Sequence, residues 1–264
     1  WRRYPAAANL AALDRERALE AVSLCGRLIA DDLAALGVTV DCAPVLDVPV
    51  PGADPVIGDR AYGSAPTEVA RLGRAACEGL LAGGVLPVIK HIPGHGRAAV
   101  DSHFTLPRVS ADRATLEASD FVPFRTLATM PWAMTAHVVY EALDPDLPAT
   151  LSPRVIRETI RAGIGFDGVL VSDDLSMHAL GGPLDERARK ALAAGCDLVL
   201  HCNGERAEME EVAAGTGALS PEARRRLARA EARRQAPAPF DRGVAEARLD
   251  TLVSGHSACT AVTT

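Results

Sequence analysis

Apolar positions along the chain follow two alternating patterns. In residues 13–36 they recur at three- and four-residue spacing, which predicts a helix that Gly37 ends. Residues 38–48 (VTVDCAPVLDV) are a continuous apolar, β-branched run, which is typical of a buried strand. The alternation continues, predicting helices at 66–82, 111–130, 152–162, 184–194 and 221–235 and strands at 85–92, 132–140, 168–175 and 197–203.

This order of elements predicts an α/β fold with parallel strands covered by helices. An open doubly wound sheet and a closed (β/α)₈ barrel both fit it. No Gly-x-Gly-x-x-Gly follows a strand, which weakens a dinucleotide-binding interpretation. The carboxyl ends of strands form the catalytic face of a barrel, so we favour the barrel. Polar residues stand at those ends in this chain: Asp47, Lys90, His91, His137, Asp173, Asp174 and Asn203.

The strand count is lower than a complete barrel requires. We count five strands, and a (β/α)₈ barrel has eight. We therefore expect the first three strands to precede residue 1, the chain being truncated at its N-terminus. The expected organisation is a partial catalytic barrel domain at 1–235 and a poorly defined C-terminal extension at 236–264.

Composition narrows the class of partner. The chain has 264 residues, with 28 Lys and Arg against 34 Asp and Glu, a net charge of −6 that argues against nucleic-acid binding. The Arg-rich stretch 221–235 also contains Glu222 and Glu231, which favours a solvated helix face. No apolar run approaches the roughly 18 to 20 residues of a membrane helix. The six cysteines form no Cys-x-x-Cys pair, so we expect a reducing, cytoplasmic location.

The segment 90–107 (KHIPGHGRAAVDSHFTLP) holds the densest chemistry, with one lysine, three histidines and one aspartate. A metal site would use the histidines with Asp101. However, Pro93 and Gly94 prevent the helix that places two histidines of a His-x-x-x-His motif on one face. A loop of structural histidines is a second alternative, and His95, between two glycines, is expected to shape the loop.

Asp101 and His103 within this segment suggest proton transfer. A carboxylate two residues before an imidazole can accept its Nδ1 proton and fix the tautomer. Nε2 is then free for proton transfer. An Asp-x-His triplet is common by chance, so this interpretation depends on its neighbours.

Two consecutive carboxylates, Asp173 and Asp174, end the strand in the segment 171–177 (VSDDLSM). Side chains alternate along a strand, so at most one of them faces the barrel axis. Alternation alone leaves open which one it is. We expect Asp174 to cap the next segment or to pair with a nearby arginine.

Together these motifs resemble glycoside hydrolase family 3, and most closely its bacterial β-N-acetylglucosaminidases of peptidoglycan recycling. The resemblance runs from about Tyr4 to Asn203. It rests on motifs in family-like order and spacing: PVLDV, VIGDRAYG, KHIPGHG followed by DSH, AMTAHVVYEALDP and GFDGVLVSDDLSM. A further family motif, an Asp-Gln-Glu-Gly-Gly-like strand end before the Tyr-Pro-Ala segment, does not occur in this chain.

The resemblance implies a TIM-type barrel and a retaining mechanism. Asp173 would be the nucleophile, and His103, oriented by Asp101, the general acid and base. Lys90 and His91 match a pair that binds sugar hydroxyls.

Further expectations concern the substrate and the rim of the site. The resemblance makes Arg60 another substrate contact, whereas for Asp47 and His137 contact with substrate stays open. It implies GlcNAc-anhydroMurNAc and its peptides as substrate, no cofactor or metal, and a monomer when full-length. The alternatives are a family 3 β-glucosidase, an N-acetylglucosaminide phosphorylase and a non-catalytic truncated remnant.

Overall fold

The computed structural model describes residues 2–254 and has a curled parallel sheet at its centre. Five strands lie in the order β1-β2-β4-β6-β7, and every neighbouring pair is parallel. Helices surround this sheet, which confirms the predicted α/β class. The strands are β1 (Val40–Asp41), β2 (Leu86–Ile92), β4 (Trp132–Thr135), β6 (Val169–Asp174) and β7 (Leu198–Leu200); β3 (Arg108–Val109) and β5 (Val139–Tyr140) form a separate parallel pair.

The longer helices follow the sequence periodicity closely. The predicted helices at 66–82 and 184–194 are present at those bounds, and the one at 13–36 is shorter by two residues at each end. The α-helices are α1 (Ala7–Ala11), α2 (Arg15–Ala34), α3 (Pro66–Ala82), α4 (Arg113–Ala118), α5 (Phe121–Thr126), α6 (Leu184–Ala194), α7 (Arg206–Ala214), α8 (Pro221–Glu231) and α9 (Arg242–Ser254). A π-helix spans Val155–Ile164, and 3₁₀ turns span Gly58–Arg60 and Ala149–Leu151.

The predicted helix at 111–130 is wrong, because the structure breaks it into α4 and α5. Pro123 has no N–H to donate to the carbonyl of Ser119, and its ring clashes with that carbonyl in a continuous helix. The backbone at Ser119 accordingly leaves the helical region, with φ −127° and ψ −79°.

The predicted strands at 38–48 and 132–140 are longer than the strands found. β1 ends at Asp41, and Pro44 has no N–H to donate to the ladder, but β2 amides still donate to the Ala43 and Pro44 carbonyls and the Leu46 amide donates to the Lys90 carbonyl at 2.6 Å. Beyond Thr135 the chain leaves the central sheet, and β5 pairs with β3 instead. The sequence could not show this change of partner, because apolar residues continue beyond Thr135 to Tyr140.

The interior face of the sheet is apolar. Val88, Met134 and Val171, one from each of three neighbouring strands, pack into one buried cluster. The edge strands of the five are β1 and β7.

The segment after residue 236 carries α9, which packs against α2 through buried Leu249 and Leu252. Arg242 of α9 pairs with Asp31 and Asp32 of α2 at 3.0 and 2.6 Å. Residues 255–264 of the expected extension lie outside the described residues, and the domain boundary at 235 stays a prediction. Within residues 2–254, no helix has the length and hydropathy needed to cross a membrane.

Buried ion pairs close the amino end of the sheet, away from the polar strand ends. Asp197 accepts hydrogen bonds from Arg161, Arg226 and the Leu170 amide, each at 2.9 Å. Two arginines of α8 therefore form ion pairs here: Arg226 with Asp197, and Arg229 with Asp167. These arginines are therefore neutralised by neighbouring carboxylates.

Replacing Asp197 by alanine is expected to destabilise the fold by about 3 kcal/mol, because it leaves two partly buried guanidinium groups without their partner. Urea denaturation measures this loss. Asp185→Asn is the matched control, because its pair with Arg189 is exposed on α6. Equal urea midpoints for Asp197→Ala and Asp185→Asn would contradict the stabilising role of Asp197.

Candidate active site

The carboxyl ends of the central strands meet at one edge and enclose a cavity of about 380 Å³. This follows from the parallel order of the sheet, which places successive strand ends side by side. All but one of the six predicted site residues line the cavity, the exception being Asp101. The lining is Val56, Ile57, Arg60, Lys90, His91, His95, Ser102, His103, Asp173, Asp174, Met177 and Cys202.

Asp47 lies beneath the cavity and fixes His91. It is 0 % exposed, its Oδ2 lies 2.7 Å from Nδ1 of His91, and its Oδ1 accepts from the amides of His91 and His95. Burial raises the pKa of Asp47, but its interactions with His91 and the hydrogen bond from the His95 amide outweigh this effect, so the pKa lies below its usual value. Asp47 therefore orients His91, and its burial keeps it from the cavity surface.

Asp173 is the carboxylate that faces the cavity at the end of β6. Val171, two residues earlier, belongs to the interior cluster, which settles the side left open by alternation. Oδ1 of Asp173 accepts from the Asp174 amide at 2.9 Å, and Oδ2 lies 3.8 Å from Nε2 of His91. Burial raises the pKa of Asp173, but His91 and the hydrogen bond from the Asp174 amide lower it by more. The pKa therefore lies below its usual value, and the carboxylate is ionised at neutral pH.

Asp174 caps the turn after β6, which is one of its two predicted roles. Its carboxylate accepts from the amide and hydroxyl of Ser176 and from the Cys202 amide. His137 is 0 % exposed and does not line the cavity, and its ring nitrogens form hydrogen bonds with the Thr150 hydroxyl and the Asp174 carbonyl. Contact of His137 with a substrate, left open by the sequence, is thereby disfavoured.

The predicted contact between Asp101 and His103 is present. Oδ1 of Asp101 lies 2.7 Å from Nδ1 of His103 and also accepts its amide at 2.8 Å. Burial raises the pKa of Asp101, but these two hydrogen bonds lower it by more. The His103 side chain is 57 % exposed, which leaves its Nε2 edge accessible at the cavity.

Long-range contacts that sequence patterns did not identify hold this loop. Arg97 pairs with buried Asp120 at 2.7 Å, and the Tyr140 hydroxyl donates to the Gly94 carbonyl at 2.7 Å. At Gly96 an added Cβ would lie 2.1 Å from the Val48 carbonyl oxygen, so only glycine allows this close approach. In the sequence, the only local sign of this close packing was the presence of Pro93, Gly94 and Gly96 beside the histidines.

His95 lies between His91 and the loop that carries Asp101 and His103. Its Nε2 lies 3.1 Å from the Ser102 hydroxyl, between the members of the Asp101–His103 pair, and its ring meets that of His91 edge-on. Burial lowers the pKa of His95, so the ring is neutral. This agrees with the expectation that His95 shapes the loop.

Lys90 and Arg60 contribute positive charge to the cavity. Nη1 of Arg60 donates to the Val56 carbonyl at 3.3 Å, within its own turn. Among residues 2–254, no group of three or more His, Cys, Asp or Glu side chains is arranged to hold a metal ion. The cavity thus combines an ionised carboxylate with a carboxylate-oriented imidazole, a set suited to nucleophilic attack assisted by proton transfer.

Comparison with known families agrees with this chemistry. The profile described as "Glycosyl hydrolase family 3 N terminal domain" matches residues 3–236. A beta-hexosaminidase of Alkalilimnicola ehrlichii is 49% identical over 209 residues, covering 76% of this chain and 59% of that protein. One of Tolumonas auensis is 41% identical over 194 residues, covering 72% and 57%. The chain thus spans less than two thirds of the length of these curated relatives.

Solved structures give the same result. NagZ from Neisseria gonorrhoeae, in complex with N-trifluoroacetyl-D-glucosamine, superimposes with a TM-score of 0.83 at 34% identity, covering 95% of this chain and 76% of that one. A family 3 beta-N-acetylglucosaminidase from a Paenibacillus strain has a TM-score of 0.79 at 34% identity, covering 93% and 50%.

Proposed function

The chain belongs to glycosyl hydrolase family 3, and from this we propose that it carries the nucleophile and the proton-transfer pair of a β-N-acetylhexosaminidase. The five parallel strands accordingly form part of a TIM-barrel-like fold. The observation that carries the proposal is that Asp173 and His103 line one cavity, with Asp101 holding His103 from behind.

Asp173 acts as the nucleophile in this proposal. Its carboxylate is ionised, faces the cavity and is held by the Asp174 amide. Attack on the anomeric carbon forms a covalent glycosyl-enzyme and expels the leaving group. Water then hydrolyses that intermediate, and the two inversions give net retention.

His103 acts as general acid in the first step and general base in the second. An imidazole can both give and accept a proton near neutral pH. Asp101 accepts the Nδ1 proton, so that Nε2 faces the reacting oxygen, and it stabilises the imidazolium. The pair replaces the second carboxylate that most glycosidases use.

The proposed substrate is a terminal β-linked N-acetylglucosamine, such as that of GlcNAc-anhydroMurNAc and its peptides, in peptidoglycan recycling. Lys90, His91 and Arg60 supply hydrogen-bond donors to the cavity for sugar hydroxyls. Nδ1 of His91 is bound by Asp47. Nε2 of His91 therefore faces Asp173 and the proposed position of the sugar. The beta-hexosaminidase names of the relatives support the sugar class.

The test uses the purified 264-residue chain with 4-nitrophenyl N-acetyl-β-D-glucosaminide. We expect release of nitrophenol, a first-formed sugar of β configuration by NMR, and no effect of EDTA. Faster cleavage of the β-glucoside would instead favour a β-glucosidase. Formation of GlcNAc 1-phosphate in phosphate buffer would favour a phosphorylase, and no turnover above the Asp173→Ala background would overturn the proposal.

Lys90→Ala is expected to lower kcat/KM by about 10- to 100-fold, which corresponds to one lost hydrogen bond from a charged donor. Steady-state kinetics on the same glycoside measure it. The matched control is Lys190→Ala, since the other lysine is exposed and pairs with Glu186 on α6. A loss shared by both variants would argue against substrate contact by Lys90.

A further inference from the structure

His137 is a fully buried histidine next to the cavity that the proposed mechanism does not use. It follows the end of β4 and is 0 % exposed. Nδ1 lies 2.7 Å from the Thr150 hydroxyl, and Nε2 lies 3.0 Å from the carbonyl oxygen of Asp174. The ring thus joins the end of β4, the 3₁₀ turn Ala149–Leu151 and the end of β6.

These contacts determine which ring nitrogen carries the proton. Burial lowers the pKa of His137, so the ring is neutral and has a single N–H. The Asp174 carbonyl can only accept, which places that proton on Nε2. Nδ1 then accepts from the Thr150 hydroxyl at 2.7 Å, and the Ala136 carbonyl, 3.1 Å from the same hydroxyl, is a second acceptor for its proton. The Thr135 hydroxyl, 2.8 Å away, donates to Thr150.

The acceptor of this proton, Asp174, connects directly to the proposed nucleophile. Its side chain is fixed by the Ser176 turn and the Cys202 amide, and its carbonyl by His137. Its own amide donates to Oδ1 of Asp173 at 2.9 Å. Any rotation of the Asp174 backbone would therefore move the group that orients the Asp173 carboxylate.

We propose that His137 is a positioning residue for catalysis, whose Nε2–H holds the Asp174 backbone so that the Asp174 amide aims the Asp173 carboxylate into the cavity. This inference rests on the proposed role of Asp173. His137 is fully buried and does not line the cavity, so its effect falls on the chemical step and not on substrate binding. A purely structural role would instead lower stability and leave kcat unchanged.

Two variants separate these roles. His137→Leu removes the donor and is expected to lower kcat by about 100-fold, since displacements near 1 Å at reacting groups have such effects, with KM changed less than about threefold. The side-chain amide of Gln reaches nearly as far as Nε2 of His. The kcat of His137→Gln is therefore expected to be at least about tenfold higher than that of His137→Leu. Leu28→Ala, at a fully buried site of α2, is the stability-matched control and should keep wild-type kcat.

An unchanged kcat in His137→Leu, or equal losses in the Leu and Gln variants, would overturn the inference. A second readout does not need turnover. In the crystal structure of His137→Leu we expect the Asp173 carboxylate to leave its position 3.8 Å from Nε2 of His91, and in His137→Gln to keep it. An unmoved carboxylate in His137→Leu would also overturn the inference. Absence of turnover in the wild-type chain would instead count against the proposed function alone.

Discussion

Replacing Asp173 by alanine is expected to abolish nitrophenol release from 4-nitrophenyl N-acetyl-β-D-glucosaminide, with a loss of at least about 10⁴-fold in kcat. Without the carboxylate no glycosyl-enzyme forms, and water alone is a poor nucleophile at the anomeric carbon. Asp173→Asn should lose nearly as much, because it keeps the shape and removes the charge. Stopped assays with purified variants measure both losses.

The product of azide rescue identifies the role more sharply than the loss alone. In Asp173→Ala a small anion can enter the space of the lost carboxylate and attack from that face, giving the α-glycosyl azide. The matched control is Asp112→Asn, whose carboxylate caps α4 through the Thr115 amide on the exposed surface. Near-wild-type activity in Asp173→Ala, or a β-azide product, would refute the nucleophile assignment.

Much of the site is predictable because the relevant contacts are local or follow from strand direction. Asp101 and His103 stand two residues apart, so their hydrogen bond needs only a loop. Lys90 and Asp173 lie near the carboxyl ends of β2 and β6, the two strands that flank β4, and parallel pairing brings those ends to one edge. The identity of the inward carboxylate needed one more fact, the packing of Val171 against Val88 and Met134.

The supporting contacts were not predictable, because each joins residues far apart in sequence. Asp47 lies 44 residues before His91, and His137 lies 37 before Asp174. A buried aspartate at a strand end fits a substrate contact as well as a support for a neighbouring ring. Only the zero exposure of Asp47 and His137 separates these interpretations. Helix propensity likewise predicted one helix over 111–130, whereas the missing donor of Pro123 breaks it four residues earlier, at Ser119.

His103 differs from Asp173 in what its removal should reveal. An acid assists departure of the leaving group in proportion to how basic that group is, whereas a nucleophile is needed for every substrate. The 57 % exposure of His103 also allows a sugar or peptide-bearing leaving group to reach it without rearrangement of the core. Its effect is therefore expected to depend on the substrate.

In His103→Ala, kcat/KM for a disaccharide substrate is expected to fall by about 10³-fold, and for the 4-nitrophenyl glycoside by about tenfold or less. The ratio kcat/KM reports the first irreversible step, so slow hydrolysis of the glycosyl-enzyme does not hide the difference. Asp101→Asn should show the same dependence more weakly, because the imidazole remains but its tautomer is no longer fixed.

Azide provides the complementary check on His103→Ala. The glycosyl-enzyme on Asp173 still forms from the activated glycoside, and azide attacks it from the opposite face without needing a base. The expected product is the β-glycosyl azide, the reverse of that from Asp173→Ala. His178→Ala is the matched control, since this exposed histidine contacts the His103 carbonyl only through its own amide. Equal losses of kcat/KM on both substrates in His103→Ala, or an α-azide product, would show that another group transfers the proton.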